Sequence, residues 1–229
     1  MKLWKFDSGI YPVIPGMNII LGDYGFWDGS QWCHVGNIEK LSNFRNVLSI
    51  IRKKDLNQSV SECLEVDVKG ESLADMEISN LKAGAEIVFK KKNSQLFIGN
   101  LKECEYYGSI GMEIEPLLRQ LYDIGIWKSE YWLAYYVMMS DSFFTMRSKS
   151  AGVSVKVNAD FQVKDLQETG VALTAKLSFA DNSIECVAPQ NNQLSFAGAK
   201  FISLQKDGLF KRNVKLKYNT ADPDEIMLV

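Results

Sequence analysis

Histidine is nearly absent, with only His34 among 229 residues, and most familiar catalytic and metal-binding chemistry goes with it. A structural zinc takes four Cys or His ligands at short, regular spacing. The four cysteines, Cys33, Cys63, Cys104 and Cys186, are scattered and form no CxxC pair. No metal or other cofactor is therefore expected, and the thiols read as free and buried in a reducing compartment. Cys33 and His34 are adjacent, but neighbours on a strand point to opposite faces, so His34 reads as structural. There is no GxSxG elbow, HExxH pair or Walker lysine loop. Glu113 and Glu115 stand two apart and diverge on a helix. Asp23 and Asp28 lie next to glycines, where turn formation is their expected role. The chain reads as a protein without catalytic chemistry.

Long apolar runs are missing too. The longest, residues 131–139, falls well short of the ~20 residues of a spanning helix. Residues 1–7 are followed by no apolar run of the ~7–15 residues that marks a signal peptide. A cytoplasmic protein is expected. Excess positive charge is absent as well: the net charge is −2, which argues against nucleic acid as a partner. Residues 220–229 carry Asp222, Asp224 and Glu225 and no base; taking these three from 28 acidic residues leaves 25 against 26 basic ones. The basic residues cluster at Arg52-Lys53-Lys54, at Lys90-Lys91-Lys92 and over residues 206–217, which includes Lys211 and Arg212. Such clusters are solvated turns and faces or docking points for an anionic partner. With no repeat and no convincing linker, residues 1–219 read as one domain and 220–229 as a short acidic and apolar tail.

What the sequence has in quantity is period-two alternation. Val60, Leu64, Val66 and Val68 alternate with polar residues, and so do Ala83, Ala85, Ile87 and Phe89, the pattern of strands with one wet and one apolar face. Asp28-Gly29 between two aromatic-rich runs predicts a hairpin. One amphipathic helix is expected over residues 112–124, where Ile114, Leu117, Leu118, Leu121 and Tyr122 make one stripe and Gly125 ends it. Residues 131–139 are apolar on both faces and predict a central strand. The longest alternation places Val153, Val155, Val157, Ala159, Phe161 and Val163 on one face, then, after a polar link, Val171, Leu173, Ala175, Leu177 and Phe179. Each arm matches the ~9–11 residues of a membrane-crossing strand. A hairpin half-buried on a soluble core gives the same pattern. The expected fold is α+β: a twisted antiparallel or mixed sheet with long amphipathic hairpins and a few helices.

From Glu62 onward this order resembles the pore-forming domain of the gasdermin family: two amphipathic hairpin regions separated by a helix and a hydrophobic strand. The nearest local likeness runs from Tyr131-Trp132-Leu133-Ala134-Tyr135-Tyr136-Val137 through Ser148-Lys149-Ser150-Ala151-Gly152 into the long hairpin. It closes with Leu194-Ser195-Phe196-Ala197-Gly198-Ala199-Lys200. The resemblance covers about two thirds of the chain and implies a gasdermin N-domain-like fold. It further implies a protein that docks on anionic lipid, assembles into a ring-shaped pore and causes cell death in immune defence. On that reading Arg52, Lys53, Lys54, Lys90, Lys91, Lys92, Lys211 and Arg212 touch lipid, and Val153, Val155, Val157, Phe161, Val163, Val171, Leu173, Leu177 and Phe179 insert. Val157→Asp or Leu177→Asp is then expected to abolish leakage and leave the soluble fold intact. Bacterial members are held inactive by a short C-terminal peptide that a protease removes, a role that would fall to Ile226, Met227, Leu228 and Val229. Bacterial members also carry a lipid-modified cysteine near the N-terminus, whereas the first cysteine here is Cys33. A fungal-type member, triggered by an allelic partner, stays open. The alternative from the residues alone is a soluble strand-rich interaction protein.

Overall fold

A computed structural model describes residues 9–14, 17–29, 31–41, 48–70, 84–157, 177–178, 183–189, 193–207 and 213–218. These form three antiparallel sheets. The main sheet runs β1 (Tyr11–Pro12), β15 (Ser195–Asp207), β10 (Trp132–Ser140), β2 (Asp23–Asp28) and β3 (Gln31–Asn37). To it are added β16 (Asn213–Tyr218) on β15, β9 (Glu103–Tyr107) on β10, and β4 (Ile50–Lys53) on β9. The middle sheet is β14 (Ile184–Val187), β11 (Ser142–Ser148), β8 (Gln95–Leu101) and β5 (Gln58–Leu64). The small sheet is β13 (Leu177–Ser178), β12 (Val153–Val157), β7 (Glu86–Phe89) and β6 (Val66–Lys69).

The expectation of an α+β, gasdermin N-domain-like fold with a few helices is overturned: the fold is largely β. Among the described residues a single α-helix forms, α1 (Glu115–Asp123), entered through one wide turn at Ile110–Ile114. It buries Leu117, Leu118 and Leu121, the stripe expected of it, but it starts later than residue 112. No pairing is parallel among the described strands. Single residues, Glu65, Lys102 and Asp141, separate β5 from β6, β8 from β9 and β10 from β11, so each of these strands runs on from one sheet into the next.

Those short joints make one ladder the spine of the molecule. Tyr136 opposes Tyr106 in the main sheet, Ser142 opposes Asn100 in the middle sheet, and Val153 opposes Phe89 in the small one. Every step forward on one strand is matched by a step back on the other, so a single register runs through all three sheets. The ladder bends where alternation stops and polar residues intervene.

Layering follows from alternation on the middle sheet. Leu96, Ile98, Phe144, Met146 and Ile184 meet Val66, Ile87, Phe89, Val155 and Val157 of the small sheet in one buried cluster. Phe97, Leu101 and Phe143 point the other way, into the main core with Leu133, Tyr135 and the helix leucines. The middle sheet is thus covered on both faces, which is why β8 and β11 read as nearly continuous apolar or small runs. The central-strand expectation for residues 131–139 is met by β10, flanked by β15, β9 and β2.

Candidate functional site

The middle and small sheets share a strand order. Read across, β14, β11, β8 and β5 continue into β13, β12, β7 and β6 respectively. The small sheet is therefore the end of the middle sheet folded back on itself along one corner. Three strands cross that corner through residues of positive φ: Glu65 at 54°, Asn93 at 65° and Gly152 at 74°. Glycine takes this conformation without strain, whereas Glu and Asn pay a steric penalty there.

The corner is a polar knot. On the inner side Ser148 and Ser94 are fully buried. The Ser148 N–H donates to Ser94 O at 3.0 Å, its Oγ to Lys91 O at 2.7 Å, and Asn93 N–H donates to Ser148 O at 2.8 Å. Lys91 N–H donates to Ser94 Oγ at 2.9 Å. On the other side Arg147 Nη2 donates to Asn93 Oδ1 at 2.6 Å, and its Nη1 stands 3.9 Å from Glu185 Oε2. Burial lowers the pKa of Arg147, with Glu185 opposing that shift.

The described parts of the two alternating hairpins of the sequence meet here. β6 with β7 and β12 with β13 are zipped into one four-stranded sheet through the β7–β12 pair. Val155 and Val157 are buried and Val153 half-buried. Leu177 takes a place in β13 opposite Val157. Phe161, Val163, Val171, Leu173 and Phe179 lie outside the described residues, as do Lys211, Arg212 and the tail Ile226, Met227, Leu228 and Val229. Cys186, on the same cluster's margin, has its thiol pushed up to about 11 by burial.

The basic residues are not gathered into one patch. Arg52, Lys53 and Lys54 belong to β4 and its end, in the main sheet; Lys90, Lys91 and Lys92 belong to the corner. Several are engaged within the chain. Arg52 Nε contacts Glu105 Oε1 at 2.6 Å, Lys90 Nζ contacts Asp67 at 2.7 Å, and Lys91 Nζ contacts Glu65 at 2.7 Å. The hydrogen bonds to Glu105 and Asp67 raise the pKa values of Arg52 and Lys90. Lys53 lies over the Tyr106 ring at 5.9 Å, while Lys54 and Lys92 are exposed.

Elsewhere, His34 Nε2 lies 3.3 Å from Asp23 Oδ1, and Asp23 also accepts from Ile20 N–H and Asn37 Nδ2. Both residues close the β2–β3 hairpin end, and Cys33 pairs with Phe26 beside them. Glu113 accepts from Ser49 and Glu115 from Arg119, each held for structure. Of the four free cysteines only Cys104 is fully buried, so the expectation of four buried thiols is corrected. Among the described residues no group of three or more His, Cys, Asp or Glu is placed to hold a metal. Among them, too, no helix is long and apolar enough to cross a membrane, which says nothing of crossing by strands.

The residues that sequence reading missed are the corner's: Ser94, Asn93, Arg147, Ser148 and Glu185. The signal for Asn93, Ser94 and Ser148 was present as two breaks of equal length, 90–94 and 148–152, in otherwise alternating runs; Arg147 and Glu185 lie outside both. No family model matches the chain. No curated protein matches it, and no solved structure does.

Proposed function

We propose that this chain is a membrane-inserting pore former without catalytic chemistry, as the resemblance to gasdermins implies. One observation carries the reading: the two amphipathic hairpins share a sheet that is folded back along a corner from a second sheet of the same strand order. The central ladder keeps its register through that corner. Straightening it would pair residues 86–100 with 142–156 without a slip, giving strands longer than the ~9–11 residues a bilayer requires. The apolar faces of β7 and β12, now against the middle sheet, would turn to lipid. Before that step Lys90, Lys91 and Lys92 would dock on anionic headgroups, each contributing about 1 kcal/mol. A protease acting on residues 220–229, or an allelic partner, would be the trigger.

A second reading, a soluble interaction protein, has its own support. Ile87, Phe89, Val155 and Val157 are fully buried core, and Lys90 and Lys91 already have carboxylate partners. Dye release from phosphatidylcholine vesicles, with and without phosphatidylserine, separates the two. The full chain and a version ending at Asn219 are compared. Leakage from either on anionic vesicles supports the pore former, and leakage only from the shorter one assigns the tail an inhibitory role. Silence from both, with the fold intact, moves the weight to the interaction protein.

A further inference from the structure

We propose that the small sheet is a hinged flap held shut by a latch centred on Arg147, a property of the folded protein that goes beyond the pore reading and stands without it. Arg147 is the penultimate residue of β11, and its side chain is only 11% exposed. One guanidinium joins three segments: its own strand, the turn at Asn93 that carries β7 back into β8, and β14 through Glu185. Lys149 Nζ, 3.6 Å from the other oxygen of Glu185, closes the same cluster. Removing any member loosens the corner at its outer side, because Asn93 is the residue whose left-handed backbone makes the bend.

Two features make the flap separable from the rest. Its strands leave the middle sheet through Glu65, Asn93 and Gly152, all at positive φ. The strain at Glu65 and Asn93 would be relieved by straightening, so the corner is loaded toward opening and the polar contacts oppose it. Second, the latch has an alternative resting place. Gln95, opposite Arg147 on β8, has a buried side-chain oxygen with no hydrogen-bond partner. When Asn93 swings away, the guanidinium meets this acceptor on the sheet that stays behind, and a charge that would otherwise be stranded is satisfied. Of the main-chain bonds at the corner, Lys90 N–H to Glu65 O and Gly152 N–H to Phe89 O move with the flap, whereas Asn93 N–H to Ser148 O at 2.8 Å ties the bend to β11 and must break on opening, so it holds the flap shut together with the latch.

Hydrogen–deuterium exchange on the full chain tests this. Arg147→Met keeps the aliphatic stem and removes the donors. It should speed exchange at least tenfold in β6, β7 and β12 and leave β9, β10 and β15 unchanged. Asn93→Gly keeps the positive φ, removes the acceptor and sits in a turn where folding is spared. It should give the same regional pattern with a smaller amplitude. Acceleration spread evenly over all three sheets, or none in the small sheet, would overturn the latch. The same variants in the vesicle assay keep the two proposals apart: regional exchange without dye release supports the latch and counts against the pore former alone.

Discussion

At the scale of single residues, the burial of Val157 revises the expectation that Val157→Asp leaves the soluble fold intact. The Val157 side chain is 1% exposed in the cluster between the middle and small sheets. A carboxylate there, unpaired, costs several kcal/mol, a large part of the ~5–15 kcal/mol that holds a domain together. Val157→Asp should therefore lose its cooperative urea transition instead of giving a folded, silent protein, and circular dichroism reads the difference directly. The milder Val157→Ala is the usable probe: a loss of roughly 1–2 kcal/mol in unfolding free energy, with the fold retained. Gly22 is a second test of packing. At φ 82° a Cβ would lie 2.5 Å from the Tyr107 hydroxyl and 3.0 Å from Asn37 Oδ1. That hydroxyl is engaged with Glu39 and Asn37 with Asp23, so neither yields freely. Gly22→Ala should cost about 1–3 kcal/mol and lower Tm by several degrees. Gly29→Ala, at φ 61° in open space, should cost less, and equal losses at both sites would refute the packing account.

Elements carry their own signature in the small sheet. Glu86 on β7 accepts from Ser154 Oγ at 2.7 Å and from Lys69 Nζ at 3.3 Å. These contacts, Ser154 first, hold its carboxyl below the ordinary value of 4.5. A carboxylate whose folded pKa is depressed contributes stability above its unfolded value and loses it as pH falls through the folded one. Amide protection in β7 and β12 should hold from pH 7 to about 5 and decline below 4.5. Glu86→Gln should begin less protected and show a flatter decline, and an unchanged pH profile in that variant would refute the assignment. Why strands, the β2–β3 turn and the helix stripe were legible is a matter of local physics: alternation, Asp28-Gly29 and Leu117, Leu118, Leu121 each act within a few residues. The sheet assignment was not. Whether Val155 meets lipid, water or the middle sheet depends on Met146 and Ile98, about ten and nearly sixty residues away in sequence, and period-two alternation is the same in all three cases. The corner was hidden for a related reason, since nothing local joins Asn93 to Arg147 until the ladder brings them to 2.6 Å.

For the whole molecule the decisive quantity is the edge. Among the described residues the small sheet ends at β6 and β13. Asp67 and Lys69 on β6 add the charge that discourages pairing between soluble copies. In hydrocarbon the same edges are untenable, because each unpaired N–H or C=O costs several kcal/mol and a strand exposes several of them. A single protomer that straightened its corner would pay that cost twice, and four strands are too few to close on themselves around a channel. If the chain inserts as proposed, insertion must therefore be collective, with the edge of one protomer meeting the edge of the next before or during entry. The rate of dye release should accordingly rise more steeply than the first power of protein concentration, with vesicles emptying all-or-none. Fluorescence requenching on vesicles loaded with dye and quencher distinguishes that from graded loss. A first-order dependence with graded emptying would mean that the protein perturbs bilayers one copy at a time, and the folded-back sheet would then have to be explained as part of a soluble binding scaffold.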